Sequence, residues 1–355
     1  HRGAGGQLRP CRHGAHARTL GRRCELIVMR IGVLGTGKIA HGNYLPFLSS
    51  QPDVEFVYCS RTRDKAEACA AEFGGLVVDS PQELVAAALD TVLVLTNETQ
   101  RYEATTTLLE GGKPRRLFFE KPLVAAAGHA NVSEEDFLQA RELLQRADAA
   151  GAETAMVFNY RFFDQTVRAQ QLIAKRDLGA MIQASLFVNY ACWSHCIDLL
   201  RLFAGRTARI TALTGNVPYK DAVDVAGAFQ MESGASGTII GTNGTDFSGS
   251  LYDVLLNFER GTIRFKDLDG SFEIVTPENR YTESHTLIDN HSRWDQYRAS
   301  FEKSLDAYLN SIRRNEPPPI PGVAGLEELQ FEAALRRSAR EGRPVDLATE
   351  FPLEV

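Results

Sequence analysis

Residues Met29 to Gly42 read Met-Arg-Ile-Gly-Val-Leu-Gly-Thr-Gly-Lys-Ile-Ala-His-Gly. Ile31, Val33 and Leu34 form the short apolar run of a strand buried on both faces. A helical pattern begins straight after the glycines. Gly35-Thr-Gly37-Lys38-Ile39-Ala40 is therefore the G-x-G-x-x-G/A turn of a βαβ unit that binds a dinucleotide. Gly35 permits the tight turn, Gly37 lets a pyrophosphate approach the backbone, and Ala40 is small enough for the helix to pack close to the strand. The free N–H groups at the helix start favour the phosphate charge. The plain alternative is a glycine-rich turn with no ligand; a strand before it and a helix after it argue against that.

The chain has 355 residues, enough for two domains, each with its own core. No apolar run reaches membrane-spanning length. The net charge of −6 gives no general attraction to nucleic acid or to an anionic membrane. Cys11, Cys24, Cys59, Cys69, Cys192 and Cys196 form no C-x-x-C pair, so no metal site is expected. Cys192 and Cys196 would sit one helical turn apart and are expected as buried free thiols. This usage suits a reducing cytoplasm. Residues 1–28 are rich in Arg and His, with Glu25 as their single acid. An organelle-targeting leader has that composition. The preferred expectation is a poorly ordered segment foreign to the fold, with Met29 as the native start, because Met29 directly precedes the first strand.

The end of the second strand, Val54 to Tyr58, bears on the cofactor. A dinucleotide site usually carries an acidic residue there to bind the ribose 2′-OH of NAD. This chain has Cys59-Ser60-Arg61-Thr62-Arg63-Asp64-Lys65. A hydroxyl followed by cations, Ser60 with Arg61 and Lys65, suits a 2′-phosphate, so NADP is expected ahead of NAD. Thr91 to Leu95 is a buried strand ending in Thr96-Asn97, placed to line the cofactor cleft beyond the carboxyl end of the sheet. Leu117 to Phe119 is the next strand, and Glu120-Lys121-Pro122 follows it. A lysine amine at the mouth of such a cleft can give or take a proton, and Pro122 fixes the local backbone.

These motifs, with Gly112-Lys113, Phe158-Asn159-Tyr160-Arg161-Phe162, His195-Cys-Ile-Asp198 and the closing Gly342-Arg-Pro-Val-Asp346, resemble the Gfo/Idh/MocA oxidoreductases over residues 29–355. The resemblance implies an N-terminal Rossmann domain, a C-terminal α/β domain with a large open antiparallel sheet, and NAD(P)-linked redox work, mostly on sugars and cyclitols. It also implies that Glu120 and Lys121 meet the nicotinamide ribose and the substrate, and that His195 contacts substrate.

Sequence pattern supports the same architecture. The fold class is α/β, a doubly wound parallel sheet at 29–158, followed by an α+β domain at 159–355 with a large, mostly antiparallel sheet. Ser133-Glu-Glu-Asp136 reads as a helix start, and Thr154 to Asn159 as the last strand of the first domain. Met181 to Tyr190, Ala208 to Val217, Val223 to Met231, Ala235 to Thr242, Leu251 to Phe258, Thr262 to Phe265 and Ser271 to Val275 read as strands. One face of that sheet should carry helices. The other must be covered, most simply by a second copy in a homodimer or homotetramer. Trp294 to Ile312 is a long helix whose stripe of Tyr297, Phe301, Leu305, Tyr308 and Ile312 reads as core. Gly325 to Glu341 is the final helix.

His195 and Asp198 sit near the start of a helix, Ser194 to Phe203, and a His beside a carboxylate can orient a hydroxyl or exchange a proton. Asp198 is expected to be structural. Two departures from the resemblance stand out. The acid expected four residues before the His, as relay partner of the lysine, is Ala191, and the usual long loop before the helix is absent. A His after the Thr-Asn strand is also missing; Thr99-Gln-Arg101-Tyr102 stands there. Asn189, Tyr190 or Tyr160 could supply the lost hydrogen bonds.

The expected function is an NADP-dependent oxidoreductase for a sugar-like or other hydroxyl or carbonyl small molecule. Lys121 is the proton donor or acceptor, His195 orients substrate, and Tyr160, Arg161 and Asn189 are candidate substrate contacts. Two rivals remain: a nucleotide-sensing regulator of the same fold without catalysis, and a redox-neutral glycoside-cleaving or eliminating enzyme using bound NAD.

Overall fold

The computed structural model describes residues 28–245 and 248–354. The expectations for the leader, Cys11 and Cys24 lie outside the described residues.

Six parallel strands form the first sheet: β1 (Met29–Leu34), β2 (Val54–Cys59), β3 (Leu76–Val77), β4 (Thr91–Val94), β5 (Arg116–Phe119) and β6 (Glu153–Met156). Their order is β3-β2-β1-β4-β5-β6, so the winding reverses between β1 and β4, where a ligand cleft opens beyond the strand ends. The intervening helices are α1 (Leu45–Ser49), α2 (Arg63–Phe73), α3 (Pro81–Ala86), α4 (Arg101–Gly111) and α5 (Glu134–Ala149). Helical backbone begins at residue 38, right after the glycine turn, and passes through a π-helical stretch, Ala40–Tyr44, into α1. Helix α5 opens on a reciprocal cap between Ser133 and Asp136, as the sequence pattern predicts.

β6 is shorter than the reading of Thr154 to Asn159. The chain leaves the sheet after Met156, and Asn159–Phe162 is a 3₁₀ turn. Asn159 gives its side-chain N–H to Ser300 Oγ at 2.8 Å, which ties that turn to a later helix instead of to the sheet. The exposed side of β6 is closed by the proline-rich segment Glu316-Pro-Pro-Pro-Ile-Pro-Gly322, which joins the last two long helices. Met156 N–H donates to Ile320 at 3.0 Å and Gly322 N–H to Thr154 at 2.8 Å, which satisfies an edge that would otherwise be open.

Beyond the 3₁₀ turn come α6 (Asp164–Lys175), β7 (Met181–Asn189), α7 (Trp193–Ala204), β8 (Thr207–Tyr219), β9 (Ala222–Met231), β10 (Ser236–Thr242), β11 (Tyr252–Phe258), β12 (Gly261–Lys266), β13 (Ser271–Val275) and β14 (Glu283–Thr286). The chain ends in α8 (Arg293–Arg314), α9 (Val323–Glu341), β15 (Val345–Asp346) and α10 (Leu347–Glu350). The second sheet runs β14-β13-β12-β11-β7-β10-β9-β8-β15, antiparallel throughout except for the β7–β10 pair. β14 and β15 escape the sequence reading: one is a polar edge strand and the other has two residues, so neither carries an apolar period.

Along β9 burial alternates, which gives the sheet a packed face and a bare one. On the bare face one cross-strand row reads Asp253, Phe187, Ile240, Ala226 and Leu213. Leu213 is 73 % exposed and Val217, further along β8, is 77 % exposed.

Helix α8 returns to the first sheet. Its Phe301, Leu305, Tyr308 and Leu309 join Ile31, Val33, Leu93 and Phe118 in one apolar cluster. Tyr308 packs on Phe118 with ring centroids 4.7 Å apart and shares a 2.6 Å hydrogen bond with Thr91 Oγ1. Each such side chain, fully buried, contributes about 1.5–3 kcal/mol. One face of the dinucleotide-type sheet is thus completed by residues some two hundred positions downstream.

Candidate functional site

Two clefts flank the glycine turn and share Thr96. The first, about 340 Å³, is lined by Gly37, Lys38, Ile39, Thr96, Asn97, Glu120 and Lys121, together with Glu98, Arg101, His129 and Tyr297. The second, about 320 Å³, is lined by Gly35, Ser60, Arg61, Asp79 and Gln100, among others. Gly35 has φ +98°, and a Cβ there would stand 2.8 Å from Thr96 N, so the turn needs glycine. At Gly37 nothing lies within 4 Å of where a Cβ would stand, which leaves the backbone open to a ligand. Ala40 is fully buried against the sheet, as close helix packing requires.

The segment after β5, Glu120-Lys121-Pro122, is held by its neighbours. Tyr44 donates its hydroxyl to Glu120 Oε1 at 2.7 Å, and Lys121 N–H donates to Glu120 Oε2 at 2.9 Å. Burial, with the Glu120 charge behind it, pushes the Tyr44 phenol well above its ordinary value, so it stays a donor. Arg101, 2 % exposed, donates to the carbonyls of Glu120 at 2.6 Å and Thr96 at 2.7 Å, and also to that of Pro122. Desolvation lowers its pKa, and the charges of Glu120 and Glu98 offset part of that. Glu98 in turn meets His129 Nδ1 at 3.4 Å; that hydrogen bond holds its carboxyl down to about 2.

Lys121 is half-buried and reaches toward the second half of the chain. Its Nζ lies 3.5 Å from the carbonyl oxygen of Ala191, in the 3₁₀ turn Tyr190–Cys192 that joins β7 to α7. The strand and helix are nearly contiguous here, as the sequence reading expects.

His195 is 2 % exposed and lies flat on Tyr160, ring centroids 4.0 Å apart and planes at 10°. Burial, and next the Lys121 charge, hold its imidazole well below the usual value, so it is neutral. Its Nδ1 has no hydrogen-bond partner among the described residues.

Three residues expected at the substrate are engaged internally instead. Tyr160 is stacked between His195 and Phe163, and its hydroxyl donates to Cys192 Sγ at 3.2 Å. Arg161 is bound by both oxygens of Asp198, at 2.7 Å and 2.5 Å; Asp198 is thereby structural, as expected. Asn189 caps the following turn by accepting from Ala191 N–H at 2.9 Å, and gives its own N–H to Thr245 at 2.6 Å. Lys65 stands exposed in the first turn of α2 and does not line the second cleft, whereas Ser60 and Arg61 do. Cys59, Cys69, Cys192 and Cys196 are free and buried; desolvation raises the Cys192 thiol to about 11.

Sequence reasoning missed the bracing role of Arg101, the cleft-lining Tyr297, and a carboxyl pair on α9. Arg101 was visible only as the first residue of a helix after Thr96-Asn97. Tyr297 belonged to an apolar stripe, and its hydroxyl end gave no separate signal.

A doubly wound parallel sheet and a glycine turn open to a ligand define a dinucleotide-binding type of fold, with a lysine on the same cleft. Residues 29–158 match the Gfo/Idh/MocA model, described as an oxidoreductase family with an NAD-binding Rossmann fold. Over 352 residues the chain is 21 % identical to a myo-inositol 2-dehydrogenase of Thermotoga maritima, covering 90 % of this chain and 98 % of the relative. An oxidoreductase from Agrobacterium radiobacter, solved with NAD+, L-tartaric acid and magnesium, superposes with TM-score 0.75 at 16 % identity over 90 % of this chain and 99 % of that one. The WlbA dehydrogenase from Bordetella pertussis, solved with NADH and UDP-GlcNAcA, gives TM-score 0.71 at 19 % identity over 90 % and 97 %. These likenesses establish the shared fold.

Proposed function

We propose that this chain is an NADP-dependent oxidoreductase acting on a sugar-like or other small hydroxyl or carbonyl compound. The observation that supports it most is that Lys121 and Gly37 line one cleft. The residues present fit a dinucleotide. Gly37 leaves its backbone open, and Thr96 Oγ1, where the two clefts meet, is buried with no partner among the described residues. A bound nicotinamide supplies the hydride acceptor or donor. Glycine-turn N–H groups around Lys38 and Ile39 hold the pyrophosphate. Ser60 and Arg61 hold the 2′-phosphate. Asp79, on the same wall, is tied to Arg63, so its charge is matched. Asn97 and Glu120 orient the ribose side. Lys121 takes the hydroxyl proton in oxidation and returns it in reduction, and neutral His195 positions the substrate through Nδ1.

A polyol or keto-sugar is the natural substrate class, in keeping with the inositol dehydrogenase relative. We further propose that two copies pair through the bare face of the second sheet, and that residues 29–158 act as the cofactor domain and 159–355 as the substrate and assembly domain, in the cytoplasm. Titrating the purified protein with NADPH and NADH, then assaying a panel of polyols and keto-sugars, tests the reading. Tenfold tighter NADPH with turnover supports it. Absence of binding to either nucleotide overturns it, and tight binding without turnover across the panel favours the regulator.

A further inference from the structure

A third cavity, about 370 Å³, shares no residue with either cleft. It lies between α6 and the edge pair β13–β14. Helix α6 presents Asp164, Gln165, Arg168 and Gln171 to it, residues whose helical spacing puts them on one face. The strands present Phe272 and His285, which are cross-strand partners and stack with centroids 4.8 Å apart and planes at 7°. A cavity of that volume can hold a small organic molecule.

Gln165 is 2 % exposed. Its Nε2 donates to the Tyr252 hydroxyl at 3.0 Å and to the Asp267 carbonyl at 3.2 Å, so both amide hydrogens are used and the orientation of the amide is fixed. Its Oε1 is buried and accepts from no donor among the described residues. A buried carbonyl oxygen in that state is costly, which points to a donor from a bound molecule. The Nε2 of His285 is also buried without a hydrogen bond among the described residues. Glu283 stands 3.9 Å from it and is held by both terminal nitrogens of Arg176. Desolvation, and next the charge of Arg168, lower the His285 imidazole from its ordinary value, so it is neutral near pH 7. Arg168 itself is exposed and makes no hydrogen bond or ion pair with another described residue. Asp164, the one acid on the wall, is already matched by Lys303 at 2.6 Å and by Gln296 at 3.1 Å.

We propose that this cavity is a second ligand site, and that it takes a small hydroxylated carboxylate of the aldonic-acid kind. Arg168 meets the carboxylate with its planar fork. One hydroxyl donates to Gln165 Oε1. Another meets His285 Nε2, and a hydroxyl suits either tautomer there because it can donate or accept. The carbon chain lies against Phe272. An ammonium donor would also satisfy Gln165, but the Arg168 charge repels it. A water molecule satisfies Gln165 and leaves Arg168 without an anion. The site is one of binding, with no bond made or broken, and it does not depend on the oxidoreductase reading of the other two clefts.

Calorimetric titration of the whole protein with sodium D-gluconate, without nucleotide, tests this. The wild type is expected to bind gluconate with Kd of about 1 mM or tighter. Sorbitol carries the hydroxyls without the charge, and hexanoate the charge without the hydroxyls; each should bind at least about tenfold more weakly. Hydrogen-exchange mass spectrometry with gluconate should show added protection in α6 and β14. Arg168→Met should weaken gluconate at least about tenfold, and Gln165→Met by a similar factor. Gln165→Met also takes a donor from Tyr252, so if it fails to fold the exposed Arg168 decides alone. No binding at about 10 mM gluconate overturns the proposal and leaves the cavity to water. Sorbitol or hexanoate bound as tightly as gluconate, affinity unchanged in Arg168→Met, or protection confined to the two clefts at the glycine turn overturns it as well.

Discussion

Arg101 donates to the carbonyl oxygen of Glu120 at 2.6 Å, across the gap between α4 and the end of β5. The same guanidinium reaches Thr96 and Pro122, so one buried cation joins the two strand ends that line the nucleotide cleft. Replacing it by Ala leaves three carbonyls without their donor, each costing about 1–3 kcal/mol when buried. Arg101→Ala should lose about 3 kcal/mol or more in urea unfolding and bind nucleotide at least about tenfold more weakly. Arg101→Lys cannot reproduce the planar fork and should recover only part of this.

Lys121→Ala separates chemistry from binding. On the proposed reading the amine meets the substrate and the glycine turn holds the phosphates; both line the same cleft. The expected result is a fall in kcat of about 10²–10⁴ with nucleotide affinity changed less than about threefold. Stopped-flow hydride transfer and fluorescence titration measure the two terms. Equal turnover in the variant removes Lys121 from the mechanism.

Cofactor choice should turn on Ser60 and Arg61. Loss of the charge-assisted contacts in Arg61→Ala is expected to weaken NADPH by about ten- to a hundredfold while leaving NADH within about twofold. Ser60→Asp adds an acceptor for a ribose 2′-OH and repels a 2′-phosphate, so it should invert the preference. Competitive binding of the two reduced nucleotides reads both. Parallel losses for NADH and NADPH in Arg61→Ala would place Arg61 away from the 2′ position.

Much of this was legible in the sequence because local rules govern it. The glycine turn, the paired Ser133 and Asp136, and the alternating β9 announce themselves through fixed spacings. What was hidden depends on contacts between distant segments. The stripe of α8 predicts a core, yet nothing in Phe301 or Tyr308 says that the core is the first sheet. Tyr160 and Arg161 read as candidate substrate contacts from a segment that carries the family resemblance; His195 stacking and Asp198 pairing engage them internally. Glu328 and Glu332 drew no separate reading from the pattern of the final helix, and tertiary packing buries them.

The buried titratable groups give opposite pH signatures. His195 has a folded value below its unfolded value of about 6.5, so the unfolded chain binds the extra proton and stability falls as pH drops below about 6.5. Glu328 has a raised folded value. Its contribution is fully present below the unfolded carboxyl value of about 4.3 and is lost as pH rises through the folded one. In urea unfolding from pH 5 to 9, His195→Asn should flatten the acid side and Glu328→Gln the alkaline side. Each removes a slope of up to about 1.4 kcal/mol per pH unit. Identical curves for Glu328→Gln and wild type would mean that Glu328 ionises as freely folded as unfolded.

The bare row Asp253, Phe187, Ile240, Ala226 and Leu213 crosses five adjacent strands without a covering element among the described residues. A sheet face of that extent in water is costly, at about 25 cal/mol for each Å² of apolar surface left exposed. A second copy placed on it would remove the cost from both partners at once, as a two-fold dimer allows. Phe187 and Ile240 stand opposite each other in the middle, so Phe187→Lys with Ile240→Lys puts four unpaired cations into the centre of a dimer while leaving the packed face untouched. Light scattering after size exclusion should find the wild type at twice the chain mass or a higher even multiple, and the double variant at the chain mass with its circular dichroism unchanged. A wild type that runs as a monomer at micromolar concentration would leave the row exposed in solution and remove the assembly role from this face.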